Sequence, residues 1–228
     1  MSLQTTLGEG TLAKLLQETM AGSVAQFPPE VLEVMRTSDE EIKSRGVGQD
    51  ALAVGDRLPD ATLSDATGQS VSLSDLNAKG PLVITFYRGG WCPYCNLELK
   101  AYQNSLGEIS NLGGQLIAIS PEKPDNSLTT IEKNALTFPV LTDTGNELAK
   151  AMGIAFELPA GLQELFTNFG LKLDEVNADT GWALPVPATF VVDGRGQIIL
   201  ADVDIEYTRR LEPSIAIAAL EGCVAAAT

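Results

Sequence analysis

Histidine is absent from the 228-residue sequence. It is the commonest general base, a frequent metal ligand and the usual pH switch of proteins, so another group must activate any nucleophile in this chain. Cysteine is scarce, with three residues, two of which lie three positions apart. So few cysteines do not build the disulfide framework of a small secreted protein. In a reducing compartment a close pair is typical of a catalytic or metal-binding site.

Long hydrophobic runs and positive charge are also in short supply. No stretch of about 18 apolar residues occurs, and residues 1–10 have neither the basic nor the apolar region of a secretory leader. The formal net charge of -15 disfavours nucleic acid and anionic membranes as partners, because phosphate groups repel such a surface. We therefore expect a cytoplasmic protein that binds neither nucleic acid nor membrane.

The chain divides into two regions of different character. Residues 1–50 predict a helical extension without a candidate catalytic group, which is expected to pack on the main domain or on the partner in a homodimer. Its second helix should begin at the pair Pro28-Pro29. The apolar stripe of its first helix consists of Leu12, Leu15, Leu16 and Met20. Residues 51–228 predict the main domain.

Strands and helices alternate along the main domain. Residues 81–87 and 115–119 are apolar runs that predict buried strands, each followed by a helix. Such alternation implies a largely parallel sheet with helices on both faces. Residues 189–193 and 197–203, separated by a glycine-containing turn, predict an antiparallel hairpin. The expected fold class is therefore α/β, with a mixed central sheet.

The segment from Phe86 to Cys95 carries the clearest chemical signal. An apolar run ends there, two glycines allow a tight turn, and Cys92 precedes a proline at the expected first position of a helix. The free N–H groups and the dipole at a helix N-terminus stabilise a thiolate without any histidine. Cys92, at an exposed turn, is therefore the predicted nucleophile. Arg88 is expected to strengthen this effect if its side chain folds back toward the sulfur.

Cys95 lies one helical turn beyond Cys92, so it can reach that sulfur to form a disulfide. It is expected to sit deeper and to act as the resolving thiol. A structural zinc site would need four ligands and covalent haem a histidine after the pair, where Asn96 stands, so a redox pair is favoured and no metal or cofactor is expected. Cys223, in an alanine-rich terminal helix, is interpreted as a small apolar filler.

Three segments together resemble the peroxiredoxin-like branch of the alkyl hydroperoxide reductase and thiol-specific antioxidant (AhpC/TSA) family. They are residues 86–95, 117–121 and 187–193, and the resemblance covers about residues 54–222. It implies a thioredoxin-like fold and a thiol-dependent peroxidase. In such an enzyme the Cys92 thiolate would reduce a hydroperoxide and Cys95 would resolve the product as an intramolecular disulfide. The implied reductant is thioredoxin or the glutathione and glutaredoxin system.

The resemblance also implies substrate-positioning residues. Pro187 corresponds to a cis-proline that faces the cysteine pair, and Trp91 resembles the tryptophan that precedes the active-site pair of thioredoxins. Two family features are missing, since Gly89 replaces a hydroxyl residue that polarises the peroxide, and Pro187 replaces an arginine that holds it. Arg88 is the candidate substitute for that guanidinium.

Two other functions remain open. Trp91, Pro187 and the Pro93-Tyr94 dipeptide, which matches that of glutaredoxins, favour a thiol-disulfide oxidoreductase with little peroxidase activity. The N-terminal extension favours a third hypothesis, a redox-sensing binding protein whose helices move when the disulfide forms.

Overall fold

The N-terminal extension forms two helices in the structure, a computed structural model that describes residues 11–227. They are α1 (Thr11–Gln26) and α2 (Pro29–Ser44), and Pro29 begins the second because a missing N–H is tolerated in a first helical turn. The predicted stripe is half correct: Leu12 and Leu16 are buried, whereas Leu15 and Met20 are 40% and 43% exposed. What was expected of residues 1–10 lies outside the described part.

A seven-stranded mixed sheet forms the centre of the fold. The strands within residues 11–227 are β1 (Thr62–Asp65), β2 (Ser70–Ser72), β3 (Leu82–Phe86), β4 (Gln115–Ser120), β5 (Val140–Thr142), β6 (Ala155–Glu157), β7 (Ala183–Pro185), β8 (Ala188–Val192) and β9 (Ile198–Val203). The order in the sheet is β2-β1-β5-β4-β3-β8-β9. Parallel pairing joins β3 to β4 and β4 to β5, and the other neighbours in this sheet are antiparallel. Strands β6 and β7 pair separately. The predicted mixed α/β sheet is thus confirmed.

Helices cover both faces of this sheet, which is why all five residues of β3 are buried. Beyond the extension, the helices are α3 (Leu73–Asn77), α4 (Pro93–Asn111), α5 (Pro124–Asn134), α6 (Glu147–Ala151), α7 (Ala160–Asn168), α8 (Leu173–Val176) and α9 (Pro213–Ala227). One face of the sheet packs against α1, α4 and α9, and the other against α3 and α6. Within residues 11–227, none of them combines the length and apolar character needed to cross a membrane.

The extension packs directly on the rest of the chain. The backbone N–H of Ala13 donates a hydrogen bond of 2.7 Å to Glu212, which ties the start of α1 to the segment before α9. Helix α2 lies against α7, and Ile42 joins Leu162 and Leu165 in a third apolar cluster. This contact brings α2 and α7 beside the start of α4.

Candidate active site

The candidate site begins where β3 ends, at a turn that only glycines can form. A Cβ atom at Gly90 would collide with the hydroxyl of Thr130, and one at Gly89 with the Trp91 ring. The Gly90 N–H donates to Glu122 Oε2 at 2.8 Å, and Asn96 Nδ2 donates to the Gly90 carbonyl at 2.8 Å. These contacts fix the backbone on which the first cysteine stands.

Cys92 is the N-cap residue of α4, followed by Pro93 in the first helical turn, as the sequence predicts. The expectation of an exposed turn is wrong, because the residue is only 1% exposed. Helices α2 and α7 and the segment around Tyr207 surround it. These elements lie far from Cys92 in the sequence and reach it only through tertiary packing. The residue instead lines a partly open cavity.

The two cysteines have opposite tendencies to ionise. Burial acts to raise the pKa of Cys92, but a hydrogen bond from Cys95 and the positive charges of Arg88 and Arg210 outweigh it, so this pKa is lowered below its ordinary value. For Cys95, burial and the negative charge on Cys92 raise the pKa well above that value. The pair therefore favours a thiolate on Cys92 and a thiol on Cys95.

Arg88 is held among aromatic rings. Its guanidinium carbon lies 4.9 Å from the ring centre of Trp91, 4.7 Å from that of Tyr207 and 6.0 Å from that of Phe166. Its Nε atom is buried and has no hydrogen-bond partner among the described residues. A cation with unused hydrogen-bond capacity therefore lies close enough to Cys92 to lower its pKa.

Trp91 and Pro187 both line the cavity onto which Cys92 opens. The Trp91 ring packs edge-on against Phe166, with ring centres 5.5 Å apart. The implied cis bond before Pro187 is wrong, since the peptide bonds of the described residues are all trans. Val186 donates its N–H to the carbonyl of Ile154 at 2.7 Å, and Val186 and Pro187 link β7 to β8.

Behind Cys95 lies an ion pair that sequence reasoning missed. Arg210 Nη2 donates to Cys95 Sγ at 3.3 Å, and Arg210 Nε lies 2.7 Å from Glu98 Oε2. Burial raises the pKa of Glu98 to about 7, against the lowering effect of Arg210. Glu98 could have been suspected, because it follows Cys95 by three positions on the helix face that buries Tyr102.

Glu122 is a second buried carboxylate that the sequence did not single out. Burial raises its pKa to about 7, while the hydrogen bond from the Gly90 N–H acts to lower it. Neither Glu122 nor Arg210 lies in a recognisable motif, so no local signal could have found them. Cys223 is half-buried on α9 and does not line the cavity.

The cavity in front of Cys92 has a volume of about 260 Å³ and mostly apolar walls. Helix α2 contributes Met35 and Ile42, and helix α7 contributes Leu162, Leu165 and Phe166. The few charged side chains that line it are Asp39, Lys43, Arg88 and Glu206. The extension thus supplies walls of the site although it supplies no nucleophile.

Comparison with known proteins places this geometry in context. Residues 54–201 match the AhpC/TSA family. A peroxiredoxin of Mycobacterium tuberculosis strain CDC 1551 is 30% identical over 157 residues, or 69% of this chain and 88% of its own. Chloroplastic peroxiredoxin Q of Populus jackii is 31% identical over 159 residues, or 70% of this chain and 62% of its own. The crystal structure of peroxidoxin BcpB from Mycobacterium tuberculosis superposes with a TM-score of 0.59 and 21% identity, covering 75% of this chain and 97% of its own.

Proposed function

Because the chain belongs to the AhpC/TSA family and is a thiol peroxidase of the peroxiredoxin type, we propose that Cys92 is the cysteine that attacks the hydroperoxide. Its thiolate, favoured at the start of α4, attacks the terminal peroxide oxygen. The O–O bond breaks, the other oxygen leaves and takes up a proton as an alcohol or water, and Cys92 becomes a sulfenic acid.

Arg88 is the group proposed to hold the peroxide oxygens. Negative charge develops on the leaving oxygen as the O–O bond breaks, and a fixed cation beside it stabilises that charge. The Nε–H of the buried guanidinium has no hydrogen-bond partner among the described residues, so it can donate to a peroxide oxygen. The positive charge of the same group stabilises the Cys92 thiolate. Trp91 positions the guanidinium from one side, and Pro187 forms part of the wall against which the substrate packs.

Cys95 completes the first half of the cycle in this proposal. Its thiol condenses with the sulfenic acid of Cys92, which gives a disulfide and water. A thioredoxin-type reductant restores the dithiol by exchange, supplied in the cytoplasm by thioredoxin or by the glutathione and glutaredoxin system. The raised pKa of Cys95 supports this order, because the thiol of the pair does not compete with Cys92 for the peroxide.

The apolar cavity supports organic hydroperoxides as the preferred substrates. Burying each methylene group of such a substrate contributes about 0.8 kcal/mol, whereas hydrogen peroxide gains nothing from apolar walls. The observation that carries the whole proposal is that the Cys92 sulfur, Arg88 and this cavity occupy one site.

Stopped-flow oxidation by hydrogen peroxide and by cumene hydroperoxide, followed through Trp91 and Trp182 fluorescence, tests the proposal. Oxidation should be lost in Cys92→Ser, and a sulfenic acid should be trapped by dimedone in Cys95→Ser. The matched control Cys223→Ser should oxidise like the wild type. Oxidation of the wild type no faster than that of a free thiol would overturn the proposal.

A thiol-disulfide oxidoreductase with little peroxidase activity is the second candidate. The observation that favours it is Gly89, which gives the turn no hydroxyl to polarise a peroxide. Rapid exchange with glutathione disulfide, together with slow oxidation by both hydroperoxides, would support this candidate over the first.

A further inference from the structure

Cys95 is in direct contact with a charged group, whereas Cys92 is affected by that group only through its charge. Arg210 Nη2 donates a hydrogen bond to Cys95 Sγ at 3.3 Å. The Arg210 side chain is only 2% exposed, so its charge acts on the sulfur with little screening by water. Burial disfavours the ionised form of a thiol, and this guanidinium places a fixed positive charge in hydrogen-bond contact with the sulfur, which favours the thiolate.

We propose that Arg210 is a catalytic residue of the resolving step, where its guanidinium stabilises the Cys95 thiolate that closes the disulfide. Glu98 is the positioning residue that holds this guanidinium in place. The inference rests on the proposed function only in taking Cys95 as the resolving thiol.

The bonds of the guanidinium support this division of roles. Nε pairs with Glu98 Oε2 at 2.7 Å, and Nη1 donates to the carbonyl of Tyr207 at 2.6 Å. The other carboxylate oxygen of Glu98 accepts a bond of 3.1 Å from Thr85. Because the guanidinium is planar and rigid, fixing Nε and Nη1 directs Nη2 at the sulfur.

Oxidation of Cys92 changes which of the two sulfurs the positive charge of Arg210 stabilises as a thiolate. In the reduced pair the Cys95 thiol donates its hydrogen bond to the Cys92 thiolate, and that anion keeps Cys95 protonated. A sulfenic acid is neutral, so this repulsion disappears once Cys92 has reacted. Arg210 and the backbone N–H of Arg88 then favour the Cys95 thiolate, while burial and the carboxylates of Glu98 and Glu122 oppose it.

The step balances without a further reactant. The Cys95 thiol loses its proton, the thiolate attacks the Cys92 sulfur, an S–S bond forms and the S–O bond breaks. The departing hydroxide takes up one proton, which replaces the proton lost by Cys95, and leaves as water. The sulfenic sulfur is reduced and the thiol sulfur is oxidised by the same amount, so the condensation needs no external oxidant or reductant.

The ionisation of Cys95 tests the role of Arg210 without any peroxide. In a Cys92→Ser, Cys223→Ser background, the serine hydroxyl is neutral like the sulfenic acid, and the only thiol is Cys95. Its titration is followed by NMR of ¹³Cβ-labelled cysteine. Arg210→Met should raise the pKa of Cys95 enough to lower its thiolate fraction about tenfold or more, and Arg210→Lys should recover part of the loss. The exposed neighbour provides a matched control, Arg209→Met, which should leave the titration unchanged.

Removal of one partner from a buried ion pair can prevent folding. The double variant Arg210→Met, Glu98→Gln removes both charges. Because Glu98 itself opposes the thiolate, the double variant is compared with Glu98→Gln alone, and it should show the higher pKa of Cys95. A folded Arg210→Met variant that titrates like the background protein, or a folded double variant that titrates like Glu98→Gln alone, would overturn the inference. The loss of Arg210 should raise the pKa of Cys95 less in the Glu98→Gln protein than in the background protein, because the guanidinium has lost its anchor. An equal rise in both would rule out the positioning role of Glu98.

A kinetic measurement on the protein with both cysteines separates the two proposals. Arg210→Met should lengthen the life of the Cys92 sulfenic acid at least tenfold, measured by dimedone labelling after a single turnover, while the oxidation of Cys92 slows less. Equal slowing of both steps would count against the assignment. If the wild type fails to react with peroxide, the peroxidase proposal fails, and the titration of Cys95 still decides the role of Arg210.

Discussion

The substitution Glu122→Gln should stabilise the protein, and by more as the pH rises. Glu122 is 4% exposed and accepts the N–H of Gly90 at 2.8 Å. It has no ion-pair partner within 4.0 Å among the described residues, and Lys133, which acts to lower its pKa from beyond that distance, does not offset the effect of burial. Glutamine keeps the shape of the side chain and the oxygen that accepts the Gly90 hydrogen bond.

The magnitude follows from the raised pKa. The difference between the ordinary value of 4.5 and a folded-state pKa of about 7 corresponds to about 3 kcal/mol. Below pH 4.5 the carboxyl is protonated in both states and removes no stability. Between pH 4.5 and pH 7 the carboxyl ionises in the unfolded chain but not in the folded protein, so the free energy of unfolding falls as the pH rises. Above pH 7 this loss of stability is complete. The gain from glutamine should therefore be about 3 kcal/mol at pH 8 and roughly 1.4 kcal/mol at pH 5.5.

Urea unfolding followed by circular dichroism at pH 5.5 and pH 8 measures this difference under reducing conditions. Both values lie above the sequence pI of about 4.3, where a protein loses solubility. The control is Glu132→Gln, an exposed carboxylate on the neighbouring helix α5, which makes the same change in net charge. If Glu122→Gln destabilised the protein at pH 8, or gave the same gain at both pH values, the assignment of a buried uncompensated charge would be wrong.

Three further predictions concern the turn, the cation and the cavity. Gly90→Ala should lower the free energy of unfolding by about 2 kcal/mol, since the new methyl group meets the Thr130 hydroxyl, and equal stability in urea would contradict this. Arg88→Met should raise the pKa of Cys92, because a positive charge that favours the thiolate is lost, and Arg88→Lys should raise it less. Thiolate absorbance at 240 nm as a function of pH measures both changes, and an unchanged titration would refute the electrostatic role. Met35→Trp should reduce kcat/KM for cumene hydroperoxide about tenfold while leaving that for hydrogen peroxide within a factor of two, and equal losses would exclude a substrate role for the cavity.

Local chemistry explains which parts of the site the sequence could predict. The buried strand β3, the glycine turn and a helix that begins at Pro93 all depend on neighbouring residues, so the position of Cys92 as N-cap was predictable. Cys95 one turn later followed from the helical repeat alone. These features place the redox pair before any long-range contact is considered.

Long-range packing explains what the sequence could not predict. Arg210 lies 115 positions from Cys95, and no spacing rule connects them. The burial of Cys92 depends on α2 and α7, which meet only in the folded protein. The trans bond before Pro187 could not be predicted either, because an X-Pro sequence alone does not fix the isomer.

The cover formed by α2 and α7 has a consequence for how the enzyme is recycled. A peroxide can enter the cavity, but a protein reductant must bring its own sulfur to within bonding distance of the sulfur of Cys92, a residue that is 1% exposed. Reduction by such a partner therefore requires local opening of this cover or unwinding of the first turn of α4. The speed of recycling is then set by how often that region opens, so a substitution that tightens the packing of α2 on α7 slows the return to the dithiol while leaving the oxidation of Cys92 fast.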